Sequence, residues 1–258
     1  MKKIIALALA LTMSAVLFAG CKTKEQVVIN SAEELNGLTI GCQGGTTGET
    51  WVLENCTKKK PNPYKSGMDA ALDLKNGKID AIVLDELPAK SIVEKNSDLK
   101  ILDIKFSKEE YAIAVKKGNK ELVDSINATI KSMKDDGSYK TLTDSFMPAD
   151  GKIVIPADVA TSGSKQLKMG TNAEFPPFEY VEGNKVVGFD ITMSQYAAAN
   201  FDGKLEVINM AFDSLISALQ AGTVDFVAAG MSVTEERQKN VDFSDPYYES
   251  EQVIIVRK

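Results

Sequence analysis

The sequence predicts an α/β protein of two lobes, each built on a mixed, mainly parallel sheet. Three observations predict it. Short apolar runs alternate with helical stretches along most of the chain, which is the mark of strands joined by helical crossovers. Residues 148–166, with Pro148, Gly151, Pro156, Ser162, Gly163 and Ser164, interrupt the alternation, which then restarts. Last, two distant joints share one pattern. Ala71-Leu72 with Gly77-Lys78-Ile79-Asp80-Ala81-Ile82, and Ala218-Leu219 with Gly222-Thr223-Val224-Asp225-Phe226-Val227, are each a helix closed by Gly and an Asp opening an apolar strand.

From the start, Met1-Lys2-Lys3 followed by the apolar run Ile4–Ala19 reads as a signal peptide over 1–20. Small residues before Cys21 make it a candidate lipidation site, with 21–29 as a tether and a lipid as the sole membrane anchor. Leu38–Cys42 reads as a strand, 44–48 as a loop and Glu49–Asn55 as a helix. Lys65–Asn76 is a helix, Ile79–Leu84 a strand ending at Asp85, Pro88–Lys95 a helix and Leu99–Lys105 a strand. Tyr111–Val115 is a strand, followed by the amphipathic helices Glu121–Lys134 and Ser138–Phe146. After the linker 148–166 come the strand Leu167–Gly170, the helix Phe189–Asn200, the strand Leu205–Met210, the helix Phe212–Gln220, the strand Val224–Ala229 and a last strand Gln252–Val256.

Hydrophobic residues at 44% and charged residues at 26% are globular values. The net charge of −6, with no basic cluster beyond Lys58-Lys59-Lys60, argues against a nucleic-acid groove. The chain has no His, which removes Ser-His and Cys-His catalysis and the commonest zinc ligand. No phosphate-binding glycine loop is present, so no cofactor or metal is expected. Cys42 ends a strand and Cys56 closes a helix of about nine residues, which carries its end roughly 13 Å away. That exceeds the reach of a disulfide, so two free thiols are expected.

Residues 222–245 carry the chemistry. A short apolar run ends at Gly230, where the missing Cβ lets a ligand approach the backbone. Ser232 follows, and Thr234-Glu235-Glu236-Arg237 reads as a capped helix start. Free N–H groups and one forked cation make a receptor for a small carboxylate. A solvated Arg on an ordinary turn reads the same residues.

Several stretches resemble the polar amino-acid-binding proteins of ABC importers, the extracellular solute-binding proteins of family 3. Thr171–Tyr180, Gly188-Phe189-Asp190, Ala228–Ser232 with Glu236-Arg237, and Asp242–Tyr248 resemble the family's first half. Leu38–Gly48, Gly77–Asp85 and Glu110–Val115 resemble its second half. The halves stand in reverse order here, 28–147 before 167–258, so the chain resembles a circular permutant joined through 148–166. The resemblance implies a two-lobed periplasmic-binding-protein-like (type II) fold. The small lobe would be 30–107, and the large lobe 109–147 with 167–258. One crossing near Phe106–Val115 would stay covalent, and the chain ends, Val27–Ile29 and Val253–Arg257, would lie side by side at the hinge.

By the same resemblance, Arg237 takes the carboxylate of an amino acid with the N–H groups of Ser232 and Thr47. Asp85, the Gly230 carbonyl and the Ser232 hydroxyl take its ammonium. Phe175 and Phe212 sandwich the side chain, and Gln43, Thr46 and Thr47 wall the small lobe, with Trp51 packed beneath. Asn172 replaces an acid common in relatives. If Glu174 faces water, a neutral ligand such as glutamine is favoured; if it turns inward, a cationic one such as arginine. The implied protein is a monomeric, extracytoplasmic receptor serving a permease. A dehydratase-like enzyme on the same scaffold and a ligand-sensing module remain as alternatives.

Overall fold

The computed structural model describes residues 27–104 and 106–258. The signal peptide, Cys21 and most of the tether lie outside them. Among the described residues no helix is long and apolar enough to cross a membrane.

The strands, in chain order, are β1 Ile40–Gln43, β2 Asn62–Tyr64, β3 Ala81–Asp85, β4 Leu99–Ile101, β5 Lys108–Tyr111, β6 Ala114–Lys116 and β7 Lys165–Thr171. They continue with β8 Glu174–Phe175, β9 Glu179–Glu182, β10 Lys185–Val187, β11 Gly203–Asn209, β12 Phe226–Val227, β13 Val241–Phe243 and β14 Tyr248–Arg257. The helices are α1 Thr47–Asn55, α2 Gly67–Lys75, α3 Glu86–Lys95, α4 Lys120–Asp135, α5 Ser138–Phe146, α6 Phe189–Asn200, α7 Leu215–Ala221 and α8 Glu235–Gln238.

The result is the expected two-lobed α/β arrangement. The small lobe has the order β2-β1-β3-β14-β4, with β5 pairing β14. The large lobe has the order β11-β7-β12-β6-β13, and β10-β9-β8 forms a separate small sheet. Each main sheet has a parallel half, β2-β1-β3 and β11-β7-β12, and an antiparallel half. The antiparallel halves contain the strands that cross between lobes.

Three expectations change here. Tyr111–Val115 is not one strand. It divides at Ala112-Ile113 into β5, which pairs β14, and β6, which pairs β12 and β13. The crossing is made by this division. Second, the last strand does not belong to the large lobe. Gln252–Ile255 pairs β3, and Ile255–Arg257 pairs β4. Val253-Ile254-Ile255-Val256 is buried on both faces, and such a run belongs in a sheet interior, not at an edge. Because β14 begins beside β5 and ends inside the small lobe, both crossings are covalent.

Third, Val27–Ile29 and the end of the last strand meet inside the small lobe. Val27 and Ile29 pack with Ile254, Val256, Leu35 and Ile40 in one small-lobe cluster. Residues 148–164 form no helix or strand but are strapped along the large lobe. Val159 donates to Gln195 at 2.9 Å, and Gly163 donates to the Gly203 carbonyl at 3.3 Å. Cys42 and Cys56 are buried and unbonded, and burial pushes both thiols up.

Candidate functional site

The site lies where the two lobes face each other, at the carboxyl ends of β1 and β3. Gln43 closes β1. Thr46 caps α1, its Oγ1 accepting from the Glu49 N–H at 3.3 Å and donating to the Gln43 carbonyl at 2.8 Å. Thr47 is the first residue of that helix. Asp85 closes β3, so its side chain enters the cleft from the small lobe.

On the large-lobe side the loop after β12 carries Gly230 and Ser232. Thr234 caps α8 by accepting from the Arg237 N–H at 3.1 Å, as the sequence pattern predicts. That cap fixes the turn from which the Arg237 guanidinium returns to the cleft. Gly230 has φ +53°, and a Cβ there would stand 2.7 Å from the Phe175 ring. Its N–H donates to Asp190 at 2.8 Å, and Asp190 also accepts from the Tyr247 hydroxyl at 2.7 Å.

Nine residues line one cavity: Gln43, Thr46, Thr47, Asp85, Phe175, Phe212, Gly230, Ser232 and Arg237. The room they leave for the centre of a water molecule is about 10 Å³, roughly one water's worth. The lobes are drawn together around it. Arg237 donates through Nη1 to the Ser232 carbonyl at 2.7 Å and through Nη2 to the Gly45 carbonyl at 3.0 Å, on the opposite lobe. Its guanidinium lies 5.5 Å from the Phe212 ring centre. Gln43 donates to Asn172 Oδ1 at 2.8 Å, a second bridge between lobes.

Two of the expected residues fall outside this lining. Asn172 is buried beside it, its amide spent on Gln43 and on the Met210 carbonyl at 2.8 Å. Glu174 is exposed and borders a neighbouring pocket with Met68, Leu84 and Pro176. Trp51 packs on Phe106 with ring centres 4.5 Å apart, in the cluster beneath the small-lobe wall.

The crossing strands supply three residues that sequence reasoning missed: Glu109, Tyr111 and Gln252. The Tyr111 hydroxyl donates to Asp85 Oδ2 in a short contact. Gln252 Nε2 donates to Asp85 Oδ1 at 2.6 Å and to Glu109 Oε1 at 3.1 Å. Glu109 Oε2 accepts from Thr47 Oγ1 at 2.7 Å and from the Ser232 hydroxyl in a short contact. Along β5, Lys108, Glu109, Glu110 and Tyr111 alternate exposed and buried, which turns Glu109 and Tyr111 to the same side; the charged run Lys108-Glu109-Glu110 carries no such signal in the sequence.

Burial, and then the charge of Glu109, push the Asp85 carboxyl up to about 7, against the Tyr111 and Gln252 hydrogen bonds and the Arg237 charge. Burial lowers the Arg237 guanidinium, while Glu109 and Asp85 raise it. Behind Gly230, burial pushes Asp190 up to about 6, and Glu179 is driven well above the carboxylate range by burial and then by the Asp190 charge. Chemically, the cavity opposes one forked cation to the Asp85 carboxylate across a gap between lobes, with Glu109 bonded to Thr47 and Ser232 of its lining.

Residues 167–258 match the bacterial extracellular solute-binding proteins, family 3. Three curated relatives show the range. The arginine-binding extracellular protein ArtP of Bacillus subtilis (strain 168) is 47% identical over 97 residues, covering 38% of this chain and 38% of ArtP. The ABC transporter arginine-binding protein 1 of Escherichia coli (strain K12) is 37% identical over 113 residues, covering 42% of this chain and 46% of the relative. The L-cystine-binding protein TcyJ of Escherichia coli (strain K12) is 32% identical over 130 residues, covering 50% of this chain and 49% of the relative. The chain thus spans about half or less of the length of these relatives. Gly230, Ser232, Arg237, Phe175 and Phe212 all lie within the family match.

Proposed function

We propose that the protein is an extracytoplasmic receptor that closes two lobes around a polar L-amino acid and delivers it to an ABC permease. One observation carries this reading: Asp85 from one lobe and Arg237 from the other line a single cavity. An amino acid brings one carboxylate and one ammonium. Arg237 suits the first and Asp85 the second, so the guest ties both lobes and favours their closed arrangement. The family match over 167–258 supports the same reading. Entry requires the lobes to part, since the cavity holds about 10 Å³.

Within this class the guest is an uncharged polar amino acid, glutamine-like. Support comes from the amide at Asn172, already paired, and from Glu174 facing water. The named relatives that bind arginine set the competing expectation. A thermal-shift screen of the twenty amino acids separates the two, because a ligand bound only by the folded protein raises the midpoint. A larger shift with arginine than with glutamine would overturn the uncharged preference.

Arg237→Ala removes the fork for the carboxylate and is expected to abolish the shift from every α-amino acid. Normal calorimetric binding by that variant would refute the site. The enzyme reading has one observation in its favour, the raised Asp85 carboxyl. Turnover of a bound amino acid would establish it; tight binding without turnover excludes it. We further read the protein as monomeric, tethered through a lipid on Cys21, and permuted in chain order. The packing of Val27 and Ile29 against Ile254 and Val256 supports the permutation.

A further inference from the structure

Glu109 lies outside the cavity lining, on a strand that crosses between lobes, and is bonded to one lining residue from each lobe, Thr47 and Ser232. It is 5% exposed and belongs to none of the roles assigned above. A carboxylate is an acceptor only, so every hydrogen bond to it fixes where its partner's proton points. Thr47 and Ser232 each own one hydroxyl proton, and both protons are directed at Glu109 Oε2. Gln252 likewise spends its amide protons on Glu109 and Asp85, and Tyr111 spends its hydroxyl proton on Asp85. What the two hydroxyls have left to offer the cavity is lone pairs.

We infer that Glu109 is a positioning residue: by drawing the protons of Thr47 and Ser232 away from the cleft, it makes the wall they share with Asp85 an acceptor-only surface that selects an ammonium at the guest's α-carbon. The argument rests on the amino-acid reading above and gives it a source of selectivity. A primary ammonium has three donors and no acceptor, and matches such a wall completely. A hydroxyl in the same place has one donor, and its lone pairs meet other lone pairs. Without Glu109 the same hydroxyls rotate freely and can donate into the cavity, so the discrimination weakens even though no atom contacting the guest has changed.

Glu109→Gln keeps shape and volume but offers an N–H₂ group that can reverse the Thr47 and Ser232 bonds. Calorimetry with L-arginine and L-glutamine, each against its α-hydroxy counterpart, reads the effect. The wild type is expected to prefer each amino acid, and Glu109→Gln to lower that preference about tenfold, the worth of one mispaired buried polar contact. Equal weakening of amino and hydroxy acids marks a merely structural role and overturns the inference, as does an unchanged preference. If Glu109→Gln fails to fold, Glu109→Ala carries the same readout, because it frees the Thr47 and Ser232 hydroxyls while leaving both in place: a reduced preference upholds the acceptor wall, and an unchanged one refutes it. Wild-type protein that binds none of the four compounds would instead overturn the proposed function, so the two failures are distinct.

Discussion

Asp85 is where the site's electrostatics converge. Tyr111 and Gln252 donate to its two oxygens, Glu109 lies near, and Arg237 faces it from the other lobe. To grip an ammonium the carboxyl must be charged, yet it is pushed up from the ordinary 3.8 to about 7. Below pH 7 it therefore holds a proton that the guest must expel. Affinity for an amino acid is expected to fall as pH drops below 7, by up to about tenfold per unit, with one proton released on binding. Calorimetry at pH 6 in two buffers of different ionisation heat reads the release directly; no buffer dependence would contradict it. The sign for stability is opposite. A raised folded-state value stabilises the guest-free protein at low pH, and that contribution is lost as pH climbs from about 4 through 7. Arg237 was legible from its capped turn after Gly230 and Ser232, whereas Asp85, a strand-end residue that also reads as a helix cap, was legible as a site residue only through the resemblance. Glu109 was not, because Lys108-Glu109-Glu110 has the look of a solvated charge run until its partners Thr47 and Ser232 are known.

Among elements, the joints that open β3 and β12 show what local sequence determines. In one, the Gly77 N–H donates to Leu74 at 3.0 Å, and Asp80 exchanges bonds with Thr39 at 2.7 and 2.9 Å. In the other, the Gly222 N–H donates to Leu219 at 3.1 Å, and Asp225 exchanges bonds with Lys168, both at 2.8 Å. Each Asp fastens the start of its strand to the parallel neighbour, which explains the repeated pattern without reference to the ligand. Asp225→Ala should cost about 1 kcal/mol, or about 3 °C in midpoint for a chain of this size. The melt should leave amino-acid affinity unchanged; a loss of binding would tie this joint to the site. Distant pairings were less legible. Tyr111–Val115 reads as one strand because its partners in β13 and β14 lie far along the chain. The β9–β10 hairpin was missed although Gly183-Asn184 between apolar residues is its ordinary turn signal. β2 was missed because Asn62-Pro63-Tyr64 is short and polar and holds a Pro, which only a sheet edge tolerates.

For the whole molecule, what counts is which contacts join the lobes, not the order in which the chain visits them. Both crossings, β5 into β6 and β14, remain covalent, and bridges from Arg237 to Gly45 and from Gln43 to Asn172 span the cleft. Val27–Ile29 and Lys258 belong to the small lobe. Lys258 donates its N–H to the Asp98 carbonyl at 2.9 Å, and Val27 and Ile29 share a small-lobe cluster with Val256. The segment 148–164 joins α5 to β7 within the large lobe and adds nothing to the cavity lining. A rearranged protein that starts at Lys165, runs to Lys258, continues through a short flexible link to Val27 and ends at Met147 should therefore refold to the same pairings. Exchanging one surface loop for another changes closure entropy by about 1 kcal/mol or less. Its amino-acid preference should equal that of the original, and its midpoint should move by a few degrees at most. The experiment discriminates because the alternative has its own signature. If the strapped segment 148–164 holds the large lobe in shape, through Val159 to Gln195 and Gly163 to Gly203, its removal will leave Arg237 and Ser232 misplaced. The rearranged chain would then melt early and lose the guest, and the two halves could not be read as interchangeable in order.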